Sequence, residues 1–345
     1  MTDQSRPQPI VRALGLTRTF ADGVGVHDLD LDVEQGTIFG FIGPSGSGKT
    51  TTIRLMTGIL APESGELTVF GKPPVDFDQS DRSRLGYMPQ LSVLYPHLSI
   101  WENLGFSASL FGMPWRGQRP RMREQLQLVD LDDARKRLLR DSSGGMQRRL
   151  ALAATLIHEP DLLFLDEPTA GIDPILRRKV WDHFVQLREQ GRTLFITTQY
   201  VGEAAYCDRV GILAEGRLIA VDTPEGLRRQ AFGGEVLDVR FTQPLLAPQL
   251  DQLAGAASAI KTDRIGPTEV RLIVADAGAV SPEVNSWATE AGVEIESVEP
   301  YLPPFDDVFV ELVSRLTLGE GSKKEDPSGS EPAELANTTE TGVKK

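Results

Sequence analysis

The chain has 345 residues, 40% hydrophobic and 25% charged, which are globular values and more than one ordinary domain's worth of chain. A formal net charge of −13 sets it against polyanions, so no nucleic-acid partner is expected. A single cysteine, Cys207, excludes an internal disulfide framework, and its small apolar neighbourhood marks it as a buried small hydrophobe.

Taken from the N-terminus, residues 1–9 are polar and lack the apolar core of a signal peptide. No run of eighteen apolar residues occurs, so the expectation is a chain that is soluble and cytoplasmic by itself and reaches a membrane only through a partner. From residue 10 to about 233, strand-like and helix-like segments alternate, the pattern of an α/β domain. The predicted strands are 36–42, 85–88, 162–166, 193–197 and 209–214, near-continuous apolar runs of the kind that parallel strands covered on both faces require. Residues 51–60 are predicted helical. Residues 99–158 form a helical block in which Trp101, Leu104, Phe106 and Leu110 are the expected buried positions. A second zone, 234–316, orders its segments β-α-β-β-α-β: Leu237, Val239 and Phe241 on a strand, a helix at 245–253, strands near 259–262 and 270–275, a helix at 282–291 and a strand at 293–298. That order predicts a small α+β, ferredoxin-like unit. A last helix carries Phe305, Val308, Phe309 and Leu312 on one face. Residues 317–345 have the composition of a disordered tail.

The chemistry concentrates in two motifs. Residues 43–50 read GPSGSGKT, a complete G-x-x-x-x-G-K-[ST] phosphate loop between a β-prone segment and a helix. Its glycines let backbone N–H groups wrap a phosphate, Lys49 reaches the β- and γ-phosphates, and the Thr50 hydroxyl is a Mg²⁺ ligand. Gly43, Pro44, Ser45, Gly46, Ser47, Gly48, Lys49, Thr50 and Thr51 are thus the expected nucleotide-binding run. Residues 162–168 read LLFLDEP, placing two adjacent carboxylates at the C-terminal end of a strand, where open α/β sheets bind ligands. Neighbours on a strand point opposite ways, so Asp166 is assigned to the metal and Glu167 to an attacking water.

Residues 141–150, DSSGGMQRRL, add an anion site of free backbone N–H groups at a helix start, and with them the chain resembles an ATP-binding cassette (ABC) ATPase subunit. SSGGM is similar to that family's signature, usually LSGGQ or LSGGM. The resemblance implies a P-loop NTPase core with a helical subdomain, ATP and Mg²⁺ as ligands, and two cassettes, identical or sister chains, dimerising head to tail. Ser143, Gly144 and Gly145 would then contact ATP across the dimer. Gln90, in GYMPQ, matches the Q-loop glutamine that touches Mg²⁺ or water. Phe20, in RTFADG, matches the adenine-stacking aromatic, and Gly171, Ile172 and Asp173 match the D-loop at the dimer seam. The matching motifs span about residues 14–216.

Two positions depart from the pattern. Ser142 replaces the signature leucine, a side chain expected to pack. Gln199, in TTQYVGEA, replaces the switch histidine, so it is expected to donate a hydrogen bond but not to titrate. GGMQRRL, the TTTIRLMTGIL helix, YPHLSIWENL and the closing PPFDDVFVELV resemble ATPases of ABC-2-type exporters, which move drugs, lipids or polysaccharides through a separate multi-spanning permease. That places the chain at the cytoplasmic face of the cell membrane as a peripheral subunit. The alternatives are an importer ATPase, some of which carry a larger β-rich regulatory domain, and a soluble ABC protein of DNA repair or translation, which usually carries coiled coils, zinc cysteines or two cassettes.

Overall fold

A computed structural model describes residues 9–321 apart from Ser92. Its centre is a six-stranded sheet in the order Leu85–Met88, Leu162–Asp166, Thr193–Thr198, Ile38–Ile42, Arg209–Ala214 and Arg217–Asp222. The first five are parallel and the last is antiparallel to its neighbour. Alternation along the central strand shows why these runs are apolar throughout. Ile38 and Ile42 enter the core on one face, and Phe39 and Phe41 enter the core on the other. Phe39 stacks on Phe195 of the neighbouring strand at 5.4 Å between ring centroids.

All five predicted strands are present within two residues of their expected ends. The helix expected at 51–60 runs earlier, Lys49–Met56, because it starts directly on the phosphate loop. A three-stranded antiparallel sheet that the sequence reading did not assign lies against the Phe39 face, in the order Gly25–Val33, Val11–Thr19, Ser64–Val69. Its signal was the alternation of Leu29, Leu31 and Val33 with Asp28, Asp30 and Asp32.

The helical block consists of Ile100–Leu110, Trp115–Leu128 and Gly144–Leu156. Ser99 and Glu102 close a reciprocal capping box that fixes where the first helix starts. Its buried face is Ile100, Leu104 and Ala108, one residue in four. Leu104 is therefore buried as expected, but the expectation for Phe106 and Leu110 is corrected: they are 42% and 66% exposed, and Trp101 is only partly buried. Phe106 and Leu110 lie on the other side of the helix and line an open groove, where Tyr95 packs edge-on against Phe106 at 4.8 Å.

Beyond Gly233, which ends the helix Pro224–Phe232 in a left-handed conformation, a second sheet forms. Its order is Lys261–Arg264, Glu269–Val274, Glu235–Phe241, Ile295–Tyr301, antiparallel throughout. Leu237, Val239 and Phe241 pack with residues of the helices Ala247–Ala256 and Ala277–Ala291, such as Leu253 and Val284. The β-α-β-β-α-β order, with the first strand between the third and the fourth, is a split β-α-β arrangement.

The last helix, Phe305–Gly321, does not join this unit. Phe305, Val308 and Leu312 are buried in the core of the six-stranded sheet, and Arg315 donates to the carbonyls of Gln230 and Ala231. The helix also enters the first five residues of the expected tail, 317–321. The rest of that expectation lies outside the described residues. Phe305→Ala is expected to destabilise the protein by about 3–5 kcal/mol, as a large-to-small core substitution does. Denaturant unfolding followed through nucleotide binding would show it. A loss confined to the second sheet would return this helix to the accessory unit.

Candidate active site

The phosphate loop leaves the central strand and enters the helix Lys49–Met56 through Gly48, at φ +106°. A Cβ at Gly48 would lie 2.7 Å from the Gly25 carbonyl, and one at Gly43 would lie 2.2 Å from the Leu213 carbonyl, so no larger residue fits either place. No side chain caps the helix, which leaves its first N–H groups for an incoming anion. The buried Ser47 hydroxyl also has no hydrogen-bond partner among the described residues. Lys49 is buried and donates to the Gly43 and Pro44 carbonyls at 2.7 and 2.8 Å. Burial pushes its pKa below the ordinary lysine value, while Glu167 and Asp166 act in the opposite direction.

The carboxylates arrive from two strands away, across the strand Thr193–Thr198. Asp166 is 1% exposed. Its Oδ2 accepts from Thr50 Oγ1 at 2.7 Å and its Oδ1 from Thr197 Oγ1 at 2.5 Å. Thr50 and Asp166 therefore present two hard oxygen donors side by side, a set suited to Mg²⁺. Glu167 sits at φ +53°, a strained conformation for a side-chain-bearing residue, and its carboxylate accepts from Gln199 Nε2 at 2.5 Å. Ser45, Gly46, Gly48, Lys49, Thr50, Thr51, Gln90, Glu167 and Gln199 line one cavity of about 170 Å³, joined by Val24 and Gly25.

Other predicted residues lie apart from that cavity. Phe20 is 44% exposed and absent from its wall, with the Arg18 guanidinium 5.5 Å from its ring centroid. Ser143 caps the helix Gly144–Leu156, accepting from Met146 N, and Ser143 and Gly144 are exposed outside the cavity. Ser142 is buried, its hydroxyl donating to Leu138 O. Asp173 caps the helix Pro174–Glu189, and Ile172 is buried. The Cys207 thiol is buried, which raises its pKa and leaves it protonated.

One site residue escaped the sequence reading. Arg148 donates to Gln90 O at 2.6 Å, to Asp166 O at 2.6 Å and to Glu167 O at 2.9 Å through Nε. A single guanidinium, half-buried with its pKa lowered by desolvation, thus ties the Q-loop and the strained Glu167 backbone to the signature helix. The signal was the arginine pair in GGMQRR, close after the start of the helix Gly144–Leu156. Arg148→Ala is expected to cost about 2–3 kcal/mol, the range for losing charge-assisted hydrogen bonds to buried groups, and to lower turnover with it. A urea midpoint and an ATPase assay read both. Parent-like values in both would leave the clamp without function.

The family model described as "ABC transporter" matches residues 26–170. The chain is 38% identical to the daunorubicin resistance ATP-binding protein DrrA3 of Streptomyces coeruleorubidus, over 86% of this chain and 94% of that one. The chain belongs to the ABC transporter family. The chain is also 37% identical to the probable multidrug ABC transporter ATP-binding protein YbhF of Escherichia coli, over 69% of this chain, and spans about two fifths of that longer relative, 41%. A solved structure described as an ATP-binding subunit of an ABC transporter superposes with a TM-score of 0.60 at 26% identity, covering 65% of this chain and 93% of that one. The six-stranded sheet, phosphate loop and helical block described above are therefore the ABC ATPase form of the P-loop NTPase fold, with mixed α/β content. Among the described residues, no helix is long and apolar enough to cross a membrane.

Proposed function

We propose that this chain is the ATP-hydrolysing subunit of an exporter, energising efflux of a drug, lipid or polysaccharide through a separate permease by ATP-driven closure of two cassettes. The observation that carries this is the convergence of Lys49, Thr50, Glu167 and Gln199 on one crevice at the C-terminal ends of parallel strands, with Asp166 buried behind it on Thr50. Names of relatives such as the daunorubicin resistance protein support export. The four-stranded α+β unit is unlike the β-rich domain that some importer ATPases carry.

Phosphoryl transfer asks mainly for positioning and charge neutralisation. Backbone N–H groups of 43–50 and the Lys49 ammonium would hold the β- and γ-phosphates, releasing Lys49 from its bonds to Gly43 and Pro44. Thr50 and Asp166, with Gln90 beside them, would hold Mg²⁺, which when bound neutralises phosphate oxygens. Glu167 aligns and polarises the attacking water. Gln199 has two amide hydrogens, so one can keep Glu167 in place while the other reaches a γ-phosphate oxygen. Phe20 stacks on adenine, and Ser143, Gly144 and Gly145 close over the partner cassette's nucleotide, with 171–173 at the seam.

The permease would seat in the groove of about 220 Å³ beside the Q-loop, lined by Leu94, Tyr95, Phe106, Leu110, Phe111 and His158. Val93, 81% exposed, stands at its edge. Burial lowers the pKa of His158, so this apolar seat carries no charge at neutral pH. The cassette would thereby lie at the cytoplasmic face of the membrane, with 10–233 and the last helix as its ATPase domain and the four-stranded unit between them as an accessory unit. Tagged chain purified from detergent-solubilised membranes is expected to bring down a multi-spanning protein whose presence stimulates ATP turnover. Full recovery in the soluble fraction, with no membrane protein bound, would overturn the transport reading.

A further inference from the structure

The loop that carries Gln199 is held from behind by groups that do not line the nucleotide cavity. Glu203 is 4% exposed. One of its carboxylate oxygens accepts from Thr169 Oγ1 at 2.7 Å and the other from Thr198 Oγ1 at 2.6 Å. Thr169 follows Glu167 by two residues, and Thr198 immediately precedes Gln199. A single buried carboxylate thus sets the spacing between the two segments whose side chains meet as the Gln199–Glu167 pair. Thr198 uses its hydroxyl both ways, donating to Glu203 while accepting from Tyr200 N at 2.9 Å.

Arg177 closes the unit. Its Nε lies 3.7 Å from Glu203 Oε1, and its Nη2 donates to Ile172 O at 3.2 Å. Its guanidinium stands 4.4 Å from the centroid of the Tyr200 ring. Arg177 thereby touches the 171–173 turn, the buried carboxylate and the residue next to Gln199. A glutamine side chain has three rotatable bonds, so holding its amide against Glu167 depends on a fixed backbone at Gln199.

We propose that Glu203, Arg177 and Tyr200 are positioning residues, one unit that holds the Gln199 amide against Glu167 and links that loop to the 171–173 turn. The proposal rests on Gln199 acting in hydrolysis, as stated above. It gives Tyr200 a role that neither the phosphate loop nor the carboxylates share: at 45% exposure it is more open than Arg177 or Glu203, so replacing it does not open the core.

The test is a double-mutant cycle in the full chain, with Mg-ATP turnover, KM and amide exchange of residues 199–206 measured for the parent, Gln199→Ala, Tyr200→Ala, Tyr200→Phe and the Gln199→Ala/Tyr200→Ala pair. Tyr200→Ala is expected to lower kcat about 10-fold, with KM for ATP within about twofold, and to speed amide exchange in 199–206. Tyr200→Phe keeps the ring face and is expected to behave as the parent. The pair is expected to match Gln199→Ala alone, because Tyr200 acts through Gln199. Glu203→Gln preserves one acceptor and one donor for the two threonines and is expected to retain most turnover, whereas Glu203→Ala is expected to lose it. Additive losses in the pair, or a parent-like kcat in Tyr200→Ala, would overturn the proposal. Parent-like turnover in Gln199→Ala would instead remove the role given to Gln199, and the positioning unit with it.

Discussion

Glu167→Gln is expected to bind ATP as the parent does while turning over at least about two orders of magnitude more slowly, the scale of a lost general base. The substitution changes one atom and no shape. Gln199 Nε2 still finds an oxygen to donate to, the Arg148 bonds to the backbone of 166 and 167 do not involve the side chain, and the strained φ of +53° is inherited unchanged. A fall in turnover therefore reports the carboxylate's charge and not a collapsed site. A nucleotide-loaded dimer is expected to accumulate, seen by size-exclusion chromatography in Mg-ATP. If the glutamine variant hydrolyses ATP at a near-normal rate, Glu167 is not the residue that acts on water.

Lys49→Ala is expected to weaken ATP binding by roughly 30-fold to several thousand-fold, the cost of about 2–5 kcal/mol for truncating one partner of a buried charged pair. The ammonium is already dehydrated, as its lowered pKa and burial show, so little of its attraction for phosphate is spent on leaving water. Removing it leaves Glu167 facing a triphosphate with no other cationic side chain on the cavity wall among the described residues. Titration with nucleotide, by calorimetry or a fluorescent analogue, measures the change. Unchanged affinity would mean that the loop does not hold the phosphates.

The parts of this cassette that could be read from its sequence are those where chemistry forces local spacing. In GPSGSGKT, Gly43 and Gly48 stand where backbone passes within contact distance of other backbone and a Cβ has no room. LLFLDEP had to be a buried strand ending in charge, and Leu162–Asp166 is one. Long-range partners were harder to see. Arg148 meets Gln90 across 58 residues, and Glu203 meets Thr169 across 34, with no periodicity to announce either. The error over Phe106 and Leu110 has a physical origin as well. Apolar residues mark a face that avoids water, but sequence alone does not say whether that face meets this chain's core or an open groove. Within one chain the signature residues lie apart from the phosphate cavity.

The last helix changes how the second sheet is mounted. The chain leaves the cassette at Gly233 and is back on it by Phe305, and the Arg228 side chain reaches the Pro303 carbonyl across that junction. The accessory unit is therefore an insertion clasped at both ends, not a pendant on a tether. A pendant can drift while the body to which it is tied stays still. An insertion with two fixed feet turns only when both feet turn, so any torque on its outer surface is delivered to the helix Pro224–Phe232 and through it to the edge of the ATPase sheet.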